Sequence, residues 1–378
     1  MRSLHAVAAA VVLVTSAQLA VSALPQSAAP ALQERDFLTR IRRLTVEGRR
    51  AGEGYWSPDG KRLVFQSERD SSNPWYQIFT LDLTSGDVKR ISPGVGKTTC
   101  AFFRPNSDQI LFSSTHLDPK SKQYQDEELA FRASGKERRY SWDYDPEMDI
   151  FAYSEKTGAM ARLTTAKGYD AEASYSPDGQ WIVFSSMRAG YDHALNEKEK
   201  KALEENPSNF AEIYVMKADG TDQTRLTNVF GYDGGPFFTQ DGKKIVWRRF
   251  DEQGLIADVW TMNPDGSEQR QITDFGSMSW APYMHPSGAY FIFASNKLGF
   301  ENFELFIVDA AGTKEPVQVT YTPGFDSLPV PSPDGKTLAW TSTRAGGAGG
   351  QLFLAQWNHA KAMEALKNAP PRKPAKKS

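Results

Sequence analysis

The sequence has few of the residues that staple or metallate small folds. One cysteine, Cys100, stands in 378 residues, so no intrachain disulfide can form and the fold must rest on its core. Cys100 itself reads as a small buried residue. Histidine is nearly as scarce, with five in all. No Gly-x-Ser-x-Gly, His-Glu-x-x-His or phosphate-loop pattern occurs, which leaves the familiar hydrolase, zincin and nucleotide-binding signatures unfilled. A charge excess is missing too. Forty-four basic against 46 acidic residues give −2, which argues against a nucleic-acid binder. Beyond one stretch from Ala6 to Val21 there is no long apolar run, which excludes a polytopic membrane protein.

What is present is core material and turn material: 40% hydrophobic and 12% aromatic residues, with 29 Gly and 22 Pro. Length alone suggests two or three domains. The aromatic, Gly and Pro load without a long helical pattern points instead to one large all-β unit. Arg2, the apolar run and the small-residue site Val21-Ser22-Ala23 predict a secretory signal peptide over 1–23 and a linker over 24–39. A periplasmic or secreted protein with no membrane span after cleavage follows. Residues 358–378 carry +5 and three prolines, Pro370, Pro371 and Pro374, and read as a basic flexible tail. With Arg2 also set aside, the body between leader and tail carries −8.

The organising feature is a repeat. Ser-Pro-Asp-Gly occurs at Ser57–Gly60, Ser176–Gly179 and Ser332–Gly335, with degenerate copies at Thr239–Gly242, His285–Gly288 and Arg104–Ser107. The fourth residues are spaced 47, 72, 63, 46 and 47 apart, so the base period is 46 or 47, with extra residues in units two and three. Five residues after each turn stands an aromatic: Phe65, Phe112, Phe184, Trp247, Phe293 and Trp340. A second apolar run and a short strand ending in Arg-Ile-Ser, Arg-Leu-Thr, Gln-Ile-Thr or Gln-Val-Thr follow. Each unit reads as four short strands, A to D, joined by hairpins, with Pro-Asp-Gly as the chemistry of the A–B turn. Unit six has no D strand, but Arg43-Leu44-Thr45 precedes unit one. The prediction is a six-bladed β-propeller over 40–357, built of four-stranded antiparallel blades and closed by the N-terminal strand.

These repeats resemble the WD40-like Pro-Asp-Gly repeats of the TolB-type β-propeller family. The resemblance rests on the Ser-Pro-Asp-Gly turns, the Arg-Leu-Thr strand ends and the Ser-x-Arg after strand B (Ser67–Arg69, Ser186–Arg188, Ser342–Arg344), and it covers nearly all of the chain after the leader. It implies a periplasmic, non-enzymatic propeller that binds a partner of the cell envelope, as TolB binds a peptidoglycan-associated lipoprotein. The α/β domain that precedes the TolB propeller has no room here. Similar propellers cap prolyl oligopeptidase-type peptidases.

Strand A enters each blade from the face that also carries the B–C loops, called the top here. Both long insertions, about 115–148 and about 189–210, leave from it. The first is predicted to hold a helix from Asp118-Pro119 to Gly135, then a basic aromatic run with Arg138, Arg139, Trp142 and Tyr144. The second holds a helix over Asn196–Glu205, ended by Pro207. At the D–A junctions stand Asp170, Asp233 and Asp326, each after an aromatic (Tyr169, Tyr232, Phe325), with Glu53 and Glu172 two residues further into their columns. These side chains are predicted to ring the top mouth of the channel. Inward carboxylates there bind a cation such as Ca²⁺ or a partner's basic groups, or else tie the blades together. Asp170, Asp233 and Asp326, with His116 and His193 on the insertions, are the candidate metal set; His285 falls in a bottom turn and His359 in the tail. The leading reading is a non-enzymatic monomer, with Ca²⁺ as the one candidate cofactor, that binds an envelope protein or polymer through its top face. The alternative is a metal-dependent hydrolase or lyase acting on a polysaccharide or peptide at the channel mouth.

Overall fold

The Ser-Pro-Asp-Gly turns set the geometry of each unit. The Ser57 hydroxyl donates to Asp59 at 2.6 Å and accepts from the Arg62 amide at 2.9 Å, while Asp59 takes the Lys61 amide at 3.1 Å. Gly60 closes the turn at φ +69°, a backbone region that costs a side chain. The same hydroxyl–carboxylate contact recurs at Thr239–Asp241 (2.7 Å) and Ser332–Asp334 (2.6 Å). These turns therefore hold the A–B hairpins mechanically.

The computed structural model describes residues 31–136, 144–346 and 349–372. The strands form six four-stranded antiparallel sheets, the blades of a propeller. The inner strands are Ala51–Trp56, Thr98–Phe103, Asp170–Tyr175, Asp233–Phe238, Ser279–Met284 and Asp326–Pro331. Each packs beside the inner strands of its two neighbours, the last against the first. Blade six is completed by Leu38–Arg43, which pairs antiparallel with Gln351–Trp357. The outermost partner of the last blade thus comes from the start of the propeller, and a sheet edge that would otherwise template aggregation is covered.

Two six-fold patterns explain the repeat columns. The aromatic five residues past each turn is fully buried and faces an aromatic across strand C: Phe65–Phe79, Phe112–Phe151, Phe184–Tyr214, Trp247–Trp260, Phe293–Phe306 and Trp340–Phe353, with centroids 5.7–6.2 Å apart. Each buried ring contributes about 2 kcal/mol or more from area alone, and the pairing adds about 1. The hydroxyl two residues past each D strand clasps a side chain at the start of strand C. Thr273 donates to Asp258 at 2.9 Å, Thr320 to Glu304 at 2.6 Å and Ser92 to Gln77 at 2.7 Å. Thr45 does the same to Gln351 at 2.7 Å and accepts the Leu352 amide at 2.9 Å, so Arg43-Leu44-Thr45 acts as the end of blade six's D strand although it lies at the other end of the chain.

The insertion helices form where the pattern predicts, with shifted starts. The first is Ser121–Ala133 rather than one opening at Asp118, because Asp118 and Pro119 are spent on a turn in which the Asp118 carboxylate takes the Lys120 amide at 2.9 Å. The second, Glu197–Glu205, has Asn196 and Glu199 as a reciprocal capping box. The C-terminal segment differs from expectation. His359–Asn368 is a helix capped by Asn358, with Ala362, Ala365 and Leu366 buried, and Arg372 pairs with Asp274 at 3.1 Å. Pro370 and Pro371 lie after this helix and mark its end. The leader prediction falls outside the described residues. Among the described residues no helix is long and apolar enough to cross a membrane.

Candidate functional site

Every inner strand carries a bulge at its third residue. Cross-strand register slips between Gly52 and Tyr55, Thr99 and Phe102, and the equivalent positions of the other four blades. The bulged residues, Glu53, Cys100, Glu172, Gly235, Ala281 and Leu328, all have φ between +49° and +57°. A bulge re-aims a side chain. Here it brings groups from blades one to four into contact across the axis, which only inward-directed side chains can do.

The result is a buried polar layer. Glu172 takes the Tyr232 hydroxyl at 2.7 Å and the Gly235 amide at 2.7 Å, and is ion-paired with Arg248. Arg248 also donates to the Tyr232 hydroxyl at 2.8 Å. Glu53 lies beside the Cys100 thiol at 3.7 Å, and among the described residues its Oε2 has no hydrogen-bond partner. Gln66 takes the Thr99 hydroxyl at 2.7 Å and the Cys100 amide at 3.3 Å. Burial, then the charge of Glu172, push the Glu53 carboxyl up to about 7. Burial raises the Cys100 thiol and the Tyr232 phenol well above their ordinary values, so both are neutral at physiological pH. Towards the bottom face the channel is filled by rings: Tyr55 lies 5.5 Å from Phe102 and from Phe237, and Phe237 lies 5.0 Å from Tyr283. Above the layer, Tyr144 at the end of the first insertion meets Tyr169 (5.5 Å) and Tyr232 (5.7 Å) edge-on.

Of the residues predicted from sequence, Glu53, Glu172, Tyr169, Tyr232 and Tyr144 are brought together here. Arg138, Arg139 and Trp142 lie outside the described residues. The three aspartates do not ring the mouth as open carboxylates. Asp170, Asp233 and Asp326 are 0–1% exposed, and each pairs with an arginine of its own blade: Arg188 at 2.7 Å, Arg249 at 2.6 Å and Arg344 at 2.7 Å. Each guanidinium in turn lies over the blade's aromatic pair, as Arg249 does over Trp260 at 4.7 Å. These aspartates stand two residues before the bulge, and their side chains turn into the blade toward its arginine. Phe325 packs on Phe303 (5.4 Å) and Trp280 (6.0 Å).

The histidines have local explanations. His116 occupies blade two's version of the arginine column: its ring packs tilted against Phe151, with centroids 4.4 Å apart, and meets Ser114 at 3.0 Å. His193 is exposed beside Asp192 at 2.7 Å, and no described contact joins it to His116. His285 and His359, predicted to be apart in a bottom turn and a tail, stack at 4.7 Å because the C-terminal helix folds back. Among the described residues no group of three or more His, Cys, Asp or Glu side chains is arranged to hold a metal ion.

Two members of the layer were missed in sequence. Cys100 occupies the same position in its repeat as Glu53 and Glu172, and that column was a usable signal. Arg248 sits on the second strand of its blade, opposite Gly234. It reaches the axis because Gly234 and Gly235 leave the inner strand bare; a Cβ on Gly235 would overlap its Nη1. The glycine pair opposite an arginine was the cue.

No family model matches the sequence. The chain is 26% identical over 161 residues to an uncharacterized peptidase of Bacillus subtilis, covering 39% of this chain and 23% of that protein. It is 26% identical over 216 residues to an uncharacterized protein of Agrobacterium fabrum, covering 52% of this chain and 64% of that one. It thus spans less than two thirds of each of these relatives' lengths. Among solved structures, a candidate TolB of Agrobacterium tumefaciens superposes with a TM-score of 0.54 at 18% identity, over 82% of this chain and 90% of its own. The oligogalacturonate lyase of Vibrio parahaemolyticus gives 0.52 at 12% identity, over 85% and 94%. At these identities the likeness is one of fold: the chain is a six-bladed β-propeller similar to both.

Proposed function

We propose that the chain is a periplasmic or secreted, TolB-like propeller that binds an envelope protein or polymer through its top face and channel mouth. One observation carries this reading. Ten of the fourteen exposed large apolar side chains among the described residues lie on top-face connections, including Leu117, Tyr124, Leu255, Ile256, Leu298 and Phe300 at 39–70% exposure. Scattered exposed apolar residues mean little, but their concentration on one face favours a docking surface. Pull-down from envelope extracts tests it. A Leu255→Ser, Phe300→Ser variant is expected to lose the partner, while the bottom-face variant Trp181→Ser keeps it. Equal recovery by both variants refutes the top-face assignment.

A second reading, a hydrolase or lyase acting on a polysaccharide or peptide at the channel mouth, is favoured by Glu53. A carboxyl pushed up to about 7 beside a carboxylate held by Arg248 has the separation of roles that acid–base pairs use. Turnover of oligogalacturonides or dipeptidyl amides that vanishes in Glu53→Gln supports it, and no turnover in the wild type removes it.

A further inference from the structure

The top of blade four carries an open groove of about 560 Å³. One wall is the connection from blade three, with Val229 and Phe230, and the other is the B–C loop of blade four. Phe230, Phe250, Ile256 and Trp260 make its lining largely apolar. Three exposed large apolar side chains of the top face, Val229, Leu255 and Ile256, stand at this one place, which marks a contact surface rather than scatter. The charged lining is acidic. Asp251, Glu252 and Asp258 face Arg249 alone, and Arg249 is already ion-paired with Asp233 at 2.6 Å.

That acidity departs from the repeat. Four residues past the core aromatic, blades one, two, three, five and six place Arg69, His116, Arg188, Lys297 and Arg344, whereas blade four places Asp251. The Asp251 carboxylate takes the amides of Leu255 at 2.8 Å and Ile256 at 3.1 Å, which shapes the loop but brings no cation. At the start of strand C, blades two and three answer their acid with a D-strand arginine: Asp149 with Arg162, and Glu212 with Arg225 at 2.6 Å. Blade four has Gln271 in that place. Asp258 is met there by neutral donors, the Gln271 amide and the Thr273 hydroxyl, both at 2.9 Å. Burial raises its carboxyl to about 6, so it is mostly ionised at pH 7.5, and Arg372, which acts on it from further off, is spent on Asp274 at 3.1 Å. Blade four is the one blade without a basic residue at both of these positions.

A guest that supplies the missing cations next to an apolar side chain complements this groove. Lys198 of the second insertion helix lies 5.4 Å over the Phe230 ring, so the wall already takes an ammonium group of the chain itself. We infer that the groove of blade four docks a basic polypeptide segment, with an apolar side chain on Phe230 and Trp260 and a lysine or arginine facing Asp251, Glu252 and Asp258. This deepens the binding reading above, rests on it, and chooses a protein partner over a sugar polymer. Aromatic faces also seat neutral sugars, but a neutral sugar gains nothing from the charge of three carboxylates.

The test uses the intact chain and small probes in ligand-observed NMR titrations at pH 7.5 and low salt. The probes are acetyl-Lys-Leu-Lys-Leu-amide, its Ser-Leu-Ser-Leu and Glu-Leu-Glu-Leu counterparts, and chitotriose. Two substitutions change the net charge equally: Glu252→Lys at the lip of the groove, and Glu268→Lys on the bottom C–D turn of the same blade. Both residues are exposed, so neither change disturbs the core. The lysine peptide is expected to bind wild type and Glu268→Lys alike, to bind Glu252→Lys roughly fivefold or more weakly, and to bind wild type more tightly than its counterparts do. The inference is overturned if the lysine peptide does not bind, if the serine or glutamate peptide binds as well, or if Glu252→Lys binds no worse than Glu268→Lys. Chitotriose binding to wild type without binding of the lysine peptide overturns it in favour of a sugar polymer. A failed titration with a successful pull-down removes this groove and keeps the top-face reading; a failed pull-down with a successful titration keeps the groove.

Discussion

Replacing Glu53 by glutamine turns the buried carboxyl into a measurable pH dependence. Burial and Glu172 raise its pKa from 4.5 to about 7. A carboxyl whose pKa is higher in the fold than in the unfolded chain favours folding when protonated. Its stabilising contribution is fully present below pH 4.5 and is lost as pH rises through about 7. A shift of that size corresponds to about 3 kcal/mol, of which about 2–3 falls between pH 5 and 8.5. Glutamine keeps the shape and cannot ionise. The stability of the variant relative to wild type is therefore expected to rise by about 2–3 kcal/mol between those two pH values, or roughly 3–4 °C in Tm for a chain of this size. Urea or thermal melts of both proteins at each pH measure it. Burial raises Asp170, Glu212, Asp258 and Glu304 as well, but they titrate in both proteins and cancel in the difference. A wild-type-to-variant difference that is the same at pH 5 and 8.5 refutes the assignment of a raised, uncompensated carboxyl at this position.

Three further outcomes follow from the geometry. Gly235→Ala places a Cβ on the Arg248 guanidinium at a φ of +57°, so chemical denaturation should show a loss of about 1–3 kcal/mol, where an unaffected midpoint contradicts the packing. Thr45→Val removes the clasp on Gln351 and Leu352 that closes the ring; a loss of about 1–2 kcal/mol is expected, with increased aggregation on heating, read by melts and light scattering. Truncation after Trp357 strips the helix that buries Ala362, Ala365 and Leu366, and should lower the melting temperature, whereas a flexible tail would leave it unchanged.

The limits of the sequence reading follow from distance along the chain. Thr45 was legible as the end of a D strand because its Arg-Leu-Thr context repeats in other blades, and a strand missing at one end of the chain has to be supplied by the other. Glu53 and Glu172 were legible as a column. Their partner Arg248 was not, because its side chain crosses to the axis only where two glycines leave a gap, and a gap has no letter of its own. The aspartates of the D–A junctions were recognised as important but misdirected. Whether a side chain at a strand start faces the axis or its own blade depends on where the bulge falls, and the bulge is set by register between strands. The C-terminal helix was misread because its burial comes from contacts with a propeller face formed far away in sequence.

By itself the sequence determined the blade number, the turn chemistry, the aromatic ladder and the closure of the ring, because each rests on a local motif repeated in unit after unit on a base period of 46 or 47 residues. Only the tertiary structure decided which carboxylates face the channel and which are spent on arginines. Those outcomes depend on side chains from blades one to four converging on a common axis, and no local pattern encodes how the blades meet there.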